Sequence, residues 1–147
     1  MSHSHILKLM LRDLDRLKDN INSYENEDIL WKTDKDITNS AGNLCLHLCG
    51  NLQHFLGHVI LKTDYVRDRP YEFGGGPETK DQLFSHIEET KKIVTALGDH
   101  LTEEILAKDY PLEVLGHKMS VGYFIIHLYG HLNYHLGQIN YSRRLLR

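Results

Sequence analysis

The sequence is poor in the features on which secreted and membrane-spanning proteins depend. Only two of its 147 residues are cysteines, and no apolar run approaches the ~18 residues that a membrane-spanning helix needs. Cys45 and Cys49 lie four residues apart in a helical pattern, so they form neither a disulfide framework nor a Cys-x-x-Cys motif. We therefore expect both cysteines to be reduced and packed in the interior.

A surplus of positive charge is also missing. The chain carries 17 Lys and Arg against 20 Asp and Glu, for a net charge of −3, so it has no basic excess to neutralise a nucleic-acid backbone. Residues 1–5 lead into an amphipathic, charged segment and not into the apolar core of a signal peptide. We expect one cytoplasmic domain over residues 1–147, with neither nucleic acid nor membrane as a partner.

Four segments repeat apolar residues at the three- and four-residue spacing of amphipathic helices. Ser40 and Ser120 are capping residues at two of the starts, Thr79 and Gln82 have the spacing of a capping box, and Gly98 is expected to end the third helix. No strand alternation competes with these signals. The sequence predicts an all-α four-helix bundle with helices over residues 4–24, 41–62, 80–98 and 121–146.

Histidine, in contrast, is abundant, with 11 residues in the chain. On a wheel of the last helix, His135 lies near the apolar centre, His131 lies on its margin and His127 is turned toward the rim. Residues at i and i+4 share one face of a helix. The pair His131 and His135 is therefore placed to give two imidazoles to one metal ion.

The second predicted helix is placed to supply a third imidazole, but its pattern does not identify which histidine supplies it. His47, Asn51, His54 and His58 fall in one narrow sector of the wheel, and His47 and His54 are roughly 10 Å apart, too far to share an ion. We expect His58 at the rim. Glycines in helix interiors are unfavourable unless something approaches closely, so we expect tight contacts at four of them: Gly50, Gly57, Gly130 and Gly137.

Three segments in order, residues 42–51, 67–73 and 131–138, resemble the DinB-like superfamily, also called YfiT-like. The closing His-x-x-x-His-x-Gly-Gln is the most specific of them. The resemblance implies a four-helix bundle of up-down-down-up topology, often homodimeric, with a divalent metal on one histidine of the second helix and two of the fourth. The ligands would be His47, His131 and His135. His54 matches no ligand position, while His127 leaves a different ligand set open.

Three histidines and one solvent position make an open, catalytic type of site. Zinc is the expected metal, and nickel or iron is compatible with the same ligands. The resemblance further implies a transferase that uses a low-molecular-weight thiol, such as bacillithiol, on an electrophilic small molecule. A metal-dependent hydrolase and a non-catalytic, stress-related metal- or ligand-binding protein are the alternatives.

Two smaller interpretations concern residues around this site. Gln138 lies on the histidine side of the last helix, where its amide is placed to orient a ligand. Arg67, Arg69 and Glu72 are interpreted as an ion-pair cluster that fixes the connection after the second helix.

Overall fold

The four segments with apolar residues at helical spacing are realised as helix. The structure is a computed structural model that describes residues 3–147. Its α-helices are α1 (His3–Asn22), α2 (Ala41–Leu52), α3 (Arg69–Gly74), α4 (Lys80–His100), α5 (Glu103–Ala107) and α6 (Val121–Leu146). The prediction of an all-α protein is confirmed for these residues, and none of their helices is long and apolar enough to cross a bilayer.

Capping chemistry sets the starts of three long helices where the sequence predicts them. Ser40 and Ser120 each accept a backbone N–H of the first turn, and Thr79 and Gln82 form a complete capping box. The predicted stop at Gly98 is wrong. The N–H of Leu101 still donates to the carbonyl of Leu97, so α4 continues through the glycine to His100.

The second predicted helix changes its winding part-way. Regular α-helix ends at Leu52, and a π-helix continues over Gln53–Ile60. The connection that follows contains α3, which the sequence analysis did not predict. Asp68 caps α3, and Pro70 sits in its first turn, where a missing N–H costs nothing.

Packing brings α2 and α6 side by side in opposite directions. Phe55 meets Phe124 at 5.2 Å between ring centroids, whereas Leu44, near the start of α2, lines the same cavity as Tyr141, near the end of α6. α1 packs on α4 and α6, and α2 also contacts α3 and α4. Cys45 and Cys49 are buried and free, as predicted.

The only tryptophan of the sequence fixes the start of α2 against the segment that follows α3. Its indole N–H donates to the carbonyl of Glu78 at 3.1 Å. A Cβ added to Gly42 would lie 2.7 Å from the ring, and one added to Gly76 would overlap it. Trp31 therefore needs glycine on both sides, one in α2 and one in the segment after α3.

A buried carboxylate ties α1 to the part of α6 that carries the histidines. Asp13, which is 0% exposed, accepts hydrogen bonds from Arg12 at 2.9 Å, Tyr129 at 2.8 Å and Asn133 at 3.0 Å. Burial alone would raise the pKa of Asp13, but these hydrogen bonds outweigh burial and lower it. Since Tyr129 and Asn133 flank His131, this cluster fixes the rotation of α6.

We expect Asp13→Ala to lower the free energy of unfolding by about 3 kcal/mol, because it removes a buried carboxylate that several part-buried donors share. Asp15→Ala, which removes an exposed ion pair with Lys91, is the control and should cost less than about 1 kcal/mol. Urea unfolding followed by circular dichroism measures both. Equal, small effects would show that Asp13 does not fix α6.

Candidate metal centre

Three histidines from two helices meet at the contact between α2 and α6. One ring nitrogen each of His47, His131 and His135 lies within 4.8 Å of the other two. The Nε2 atoms of His47 and His131 are 3.1 Å apart, and the rings of His131 and His135 meet edge to face at 4.6 Å. The structure thus brings together the three residues that the resemblance implies.

Glu72 fixes the orientation of His47. The Nδ1 of His47 lies 3.0 Å from the carboxylate of Glu72, so it donates there and leaves the Nε2 lone pair free. Arg67 holds the same carboxylate with two hydrogen bonds, of 2.8 and 2.9 Å. Burial would raise the pKa of Glu72, but Arg67 and His47 outweigh burial and lower it, so the carboxylate is ionised.

The predicted ion-pair cluster is therefore confirmed for only one of its two arginines. Arg67 pairs with Glu72, whereas Arg69 lies over the ring of Phe73 at 5.7 Å. Sequence reasoning missed the contact of Glu72 with His47, which joins residues 25 positions apart. A signal for it was present in Gly50, since a Cβ there would overlap the carboxylate of Glu72.

The other interior glycines divide into two groups. A Cβ on Gly57 would come within 3.3 Å of Ile93 and Thr63, which is the close approach that the sequence analysis expects. The same expectation is wrong for Gly130 and Gly137, where an added Cβ would meet no atom within 4 Å. Both glycines lie on the exposed face of α6.

Gln138 fixes the orientation of His135, as Glu72 fixes that of His47. Its Oε1 lies 2.7 Å from the Nδ1 of His135, which donates to it and leaves Nε2 free, as interpreted from the sequence. Burial is the main cause that lowers the pKa of His135. The ring is therefore neutral at neutral pH, as metal binding requires.

His131 is the least satisfied of the three. Its Nδ1 is buried without a hydrogen-bond partner, and burial, followed by repulsion from His135 and His47, lowers its pKa to about 3. Two nitrogens bound to one tetrahedral zinc ion lie about 3.3 Å apart, close to the 3.1 Å between the Nε2 atoms of His131 and His47. The donor set and its spacing both fit a divalent metal.

One family profile covers the whole of the described chain. The sequence profile of a family described as "Protein of unknown function (DUF1572)" matches residues 3–147. The chain belongs to the DUF1572 family. No curated protein matches it significantly. The three histidines all lie within the region that the DUF1572 profile covers.

The remaining candidate histidines of this DUF1572 protein lie outside the cluster. His54 and His58 stack on each other with ring centroids 5.8 Å apart, and His58 is exposed at the rim, as predicted. Both belong to the π-helical stretch Gln53–Ile60, so a wheel at 100° per residue misplaces them relative to His47. His127 is exposed and stacks on Phe124 at 5.7 Å.

Two aromatic side chains lie against the histidine cluster. Phe73 lies against His47 with ring centroids 4.6 Å apart, and Tyr134, which is 66% exposed, lies against His135 at 5.2 Å.

Without metal, the DUF1572 protein should lose stability as pH falls from about 6.5 to about 4.5. The pKa of His131 is about 3 in the fold against an ordinary value of 6.5, so in this window only the unfolded chain takes up the proton. Each such histidine steepens the dependence of the free energy of unfolding by about 1.4 kcal/mol per pH unit. Denaturant titrations across the window measure the slope.

His131→Gln should lower the number of protons taken up on unfolding by about one and so make that slope shallower. His58→Gln removes an exposed imidazole of the same chain and should leave the slope unchanged. Equal slopes in the wild type and His131→Gln would mean that folded His131 takes up a proton near pH 6.

Proposed function

We propose that this protein is a divalent-metal enzyme of the DinB-like superfamily with His47, His131 and His135 as its ligands. One observation carries the proposal: the three imidazoles converge while Glu72 and Gln138 hold the outer nitrogens of two of them. Zinc suits this neutral nitrogen site best, and nickel or iron is accepted by the same ligands. The fold that goes with it is a four-helix bundle of α1, α2, α4 and α6.

The proposed reaction is transfer of a low-molecular-weight thiol of the bacillithiol type to an electrophilic small molecule. A divalent metal held by His47, His131 and His135 would lower the pKa of a coordinated thiol or water. Glu72 and Gln138 would keep the imidazoles of His47 and His135 in the correct tautomer. The resemblance to the DinB-like superfamily supports the thiol over water.

The ligand set is tested by metal content. His47→Ala, His131→Ala and His135→Ala should each bring the content from about one ion per chain to near zero, because two histidines hold a divalent ion weakly. His54→Ala and His58→Ala are matched controls from the same helical segment as His47 and should retain the metal. Elemental analysis of untagged protein measures the metal content of each variant. Loss of metal in His54→Ala with retention in His47→Ala would refute the assignment.

The thiol chemistry is tested on cobalt-substituted protein. A small thiol should produce a sulfur-to-metal charge-transfer band, since a thiol deprotonates on coordination, and the band should be absent in His135→Ala. The protein's own cysteines are a negligible source, because both are buried and the hydrogen bond with Cys49, together with burial, raises the pKa of Cys45.

Two other outcomes separate the alternative functions. Hydrolysis of activated esters without a thiol band would favour a metal-dependent hydrolase. Metal-dependent thermal stabilisation without either activity would favour a non-catalytic metal- or ligand-binding protein.

We also propose that the protein is a homodimer paired through α6. An exposed stripe runs along this helix at spacings of three and four residues, and we call it the α6 stripe: Tyr123, Ile126, Gly130, Tyr134, Gly137, Tyr141 and Leu145. Its five large side chains are 51–69% exposed. At roughly 200 Å² each they expose on the order of 600 Å², near the ~800 Å² that each partner of a stable interface buries.

The glycines of the α6 stripe support a helix as the occupant. Glycine in the interior of a helix is unfavourable, and nothing within the described chain approaches Gly130 or Gly137. Close packing of a second helix would explain both, and a two-fold axis would supply that helix from a second copy.

Light scattering at micromolar concentration should report about twice 17.1 kDa. Tyr141→Glu should shift the protein to monomer, because it places a charge in the proposed contact. Thr95→Glu, on the exposed side of α4, is the control and should leave the mass unchanged. A monomeric wild type, or a Tyr141→Glu dimer, would remove this interface and leave the metal centre untouched.

A further inference from the structure

Two buried polar atoms without partners lie on the facing helices that form the histidine cluster. Within residues 3–147, Asn51 Oδ1 on α2 and His131 Nδ1 on α6 are both inaccessible and make no hydrogen bond. Asn51 is only 7% exposed. Buried polar atoms are nearly always paired, so two orphans on facing helices call for a common explanation.

The register of the two helices places Asn51 opposite the turn that ends at His131. On α2, Asn51 lies one turn after His47 and one turn before Phe55. His47 contacts His131, and Phe55 contacts Phe124. Asn51, between them, therefore faces residues 127–131. Side chains of a helix lean toward its N-terminus, so the ring of His131 extends over this same turn.

The hydrogen bonds already described fix the tautomer of His131 in the metal-free protein. His47 donates from Nδ1 to Glu72, so its Nε2 is an acceptor. The Nε2 of His131, 3.1 Å away, must then carry the proton and donate it. Nδ1 of neutral His131 is consequently a lone pair. The register of the two helices places this lone pair on the side of Asn51, whose amide oxygen is likewise an acceptor, so no hydrogen bond joins these two atoms in the metal-free protein.

A metal on the three histidines reverses this arrangement. Coordination through Nε2 moves the proton of neutral His131 to Nδ1, because each neutral imidazole carries only one. The new N–H is a donor, and the amide oxygen of Asn51 on the facing helix is a buried acceptor without a partner. His47 and His135 already have such acceptors in Glu72 and Gln138.

We propose that Asn51 is the positioning residue of His131, whose Nδ1–H donates to Asn51 Oδ1 only when a divalent metal is bound. The inference rests on the proposed metal centre. It gives each of the three ligands its own oxygen acceptor and accounts for two of the five buried polar side-chain atoms that lack partners within residues 3–147. Metal binding and the pairing of Asn51 with His131 are then one coupled event.

Zinc affinity, measured by competition with a chromophoric chelator, tests the role of the acceptor. Asn51→Leu keeps the size of the side chain but has no acceptor, and it should bind zinc about 10- to 100-fold more weakly. Asn51→Ala is a second acceptor-free variant with the same expectation, while Asn51→Asp keeps an oxygen and should bind within a few-fold of the wild type or more tightly. Gln53→Leu is the matched control: it removes an amide that bonds Thr90 instead, and its affinity should be unchanged.

Nitrogen-15 NMR of the histidine rings tests the tautomer directly. His131 should be the Nε2–H form without metal and the Nδ1–H form with zinc, and the Nδ1 proton should be protected from exchange in the wild type but not in Asn51→Leu. A merely structural role for Asn51 would leave that proton unaffected.

Wild-type zinc affinity in folded Asn51→Leu, or a protected Nδ1 proton in that variant, would overturn the inference and leave the metal centre standing. A wild type that binds no zinc would instead overturn the proposed function and this inference with it.

Discussion

Burial of one carboxylate is the constraint on which the histidine cluster depends. Glu72 is 4% exposed, and an ionised carboxylate at such depth is stable only when charged and polar donors surround it. Arg67 supplies two hydrogen bonds, His47 supplies the third, and Gly50 leaves the space. The short helix α3 exists at this position because it carries Glu72 into that space. The connection after α2 is therefore as much a part of the site as the two helices that bear the histidines.

Most helices could be predicted because their signals are local. Ser40, Thr79 and Ser120 cap helices with their own first turns, and apolar spacing follows the period of the helix itself. The π-helix and α3 could not be predicted in this way. The position of α3 depends on contacts with distant residues, among them His47 with Glu72 and Trp31 with Gly76.

The predictions for the site divide in the same way, into residues identified by local patterns and residues positioned by contacts between elements. His131 and His135 are four residues apart on one helix, so a wheel of that helix identifies the pair. The third histidine depends on how α2 lies against α6, which no single-helix pattern contains. Resemblance to a family pointed to His47, and the structure places His47 against the pair while π-helical winding separates His54 and His58 from it. The contact of Glu72 with His47 escaped prediction because Glu72 reaches His47 from a separate element.

Trp31 gives the molecule a natural optical reporter. It is the only tryptophan in the sequence, and its indole is wedged between α2 and the segment after α3, with its N–H on the carbonyl of Glu78. Any loosening of that segment would admit water to the ring and shift its emission to longer wavelength. Ultraviolet fluorescence therefore reads the order of the segment that holds Glu72 in place, without a label and apart from global unfolding.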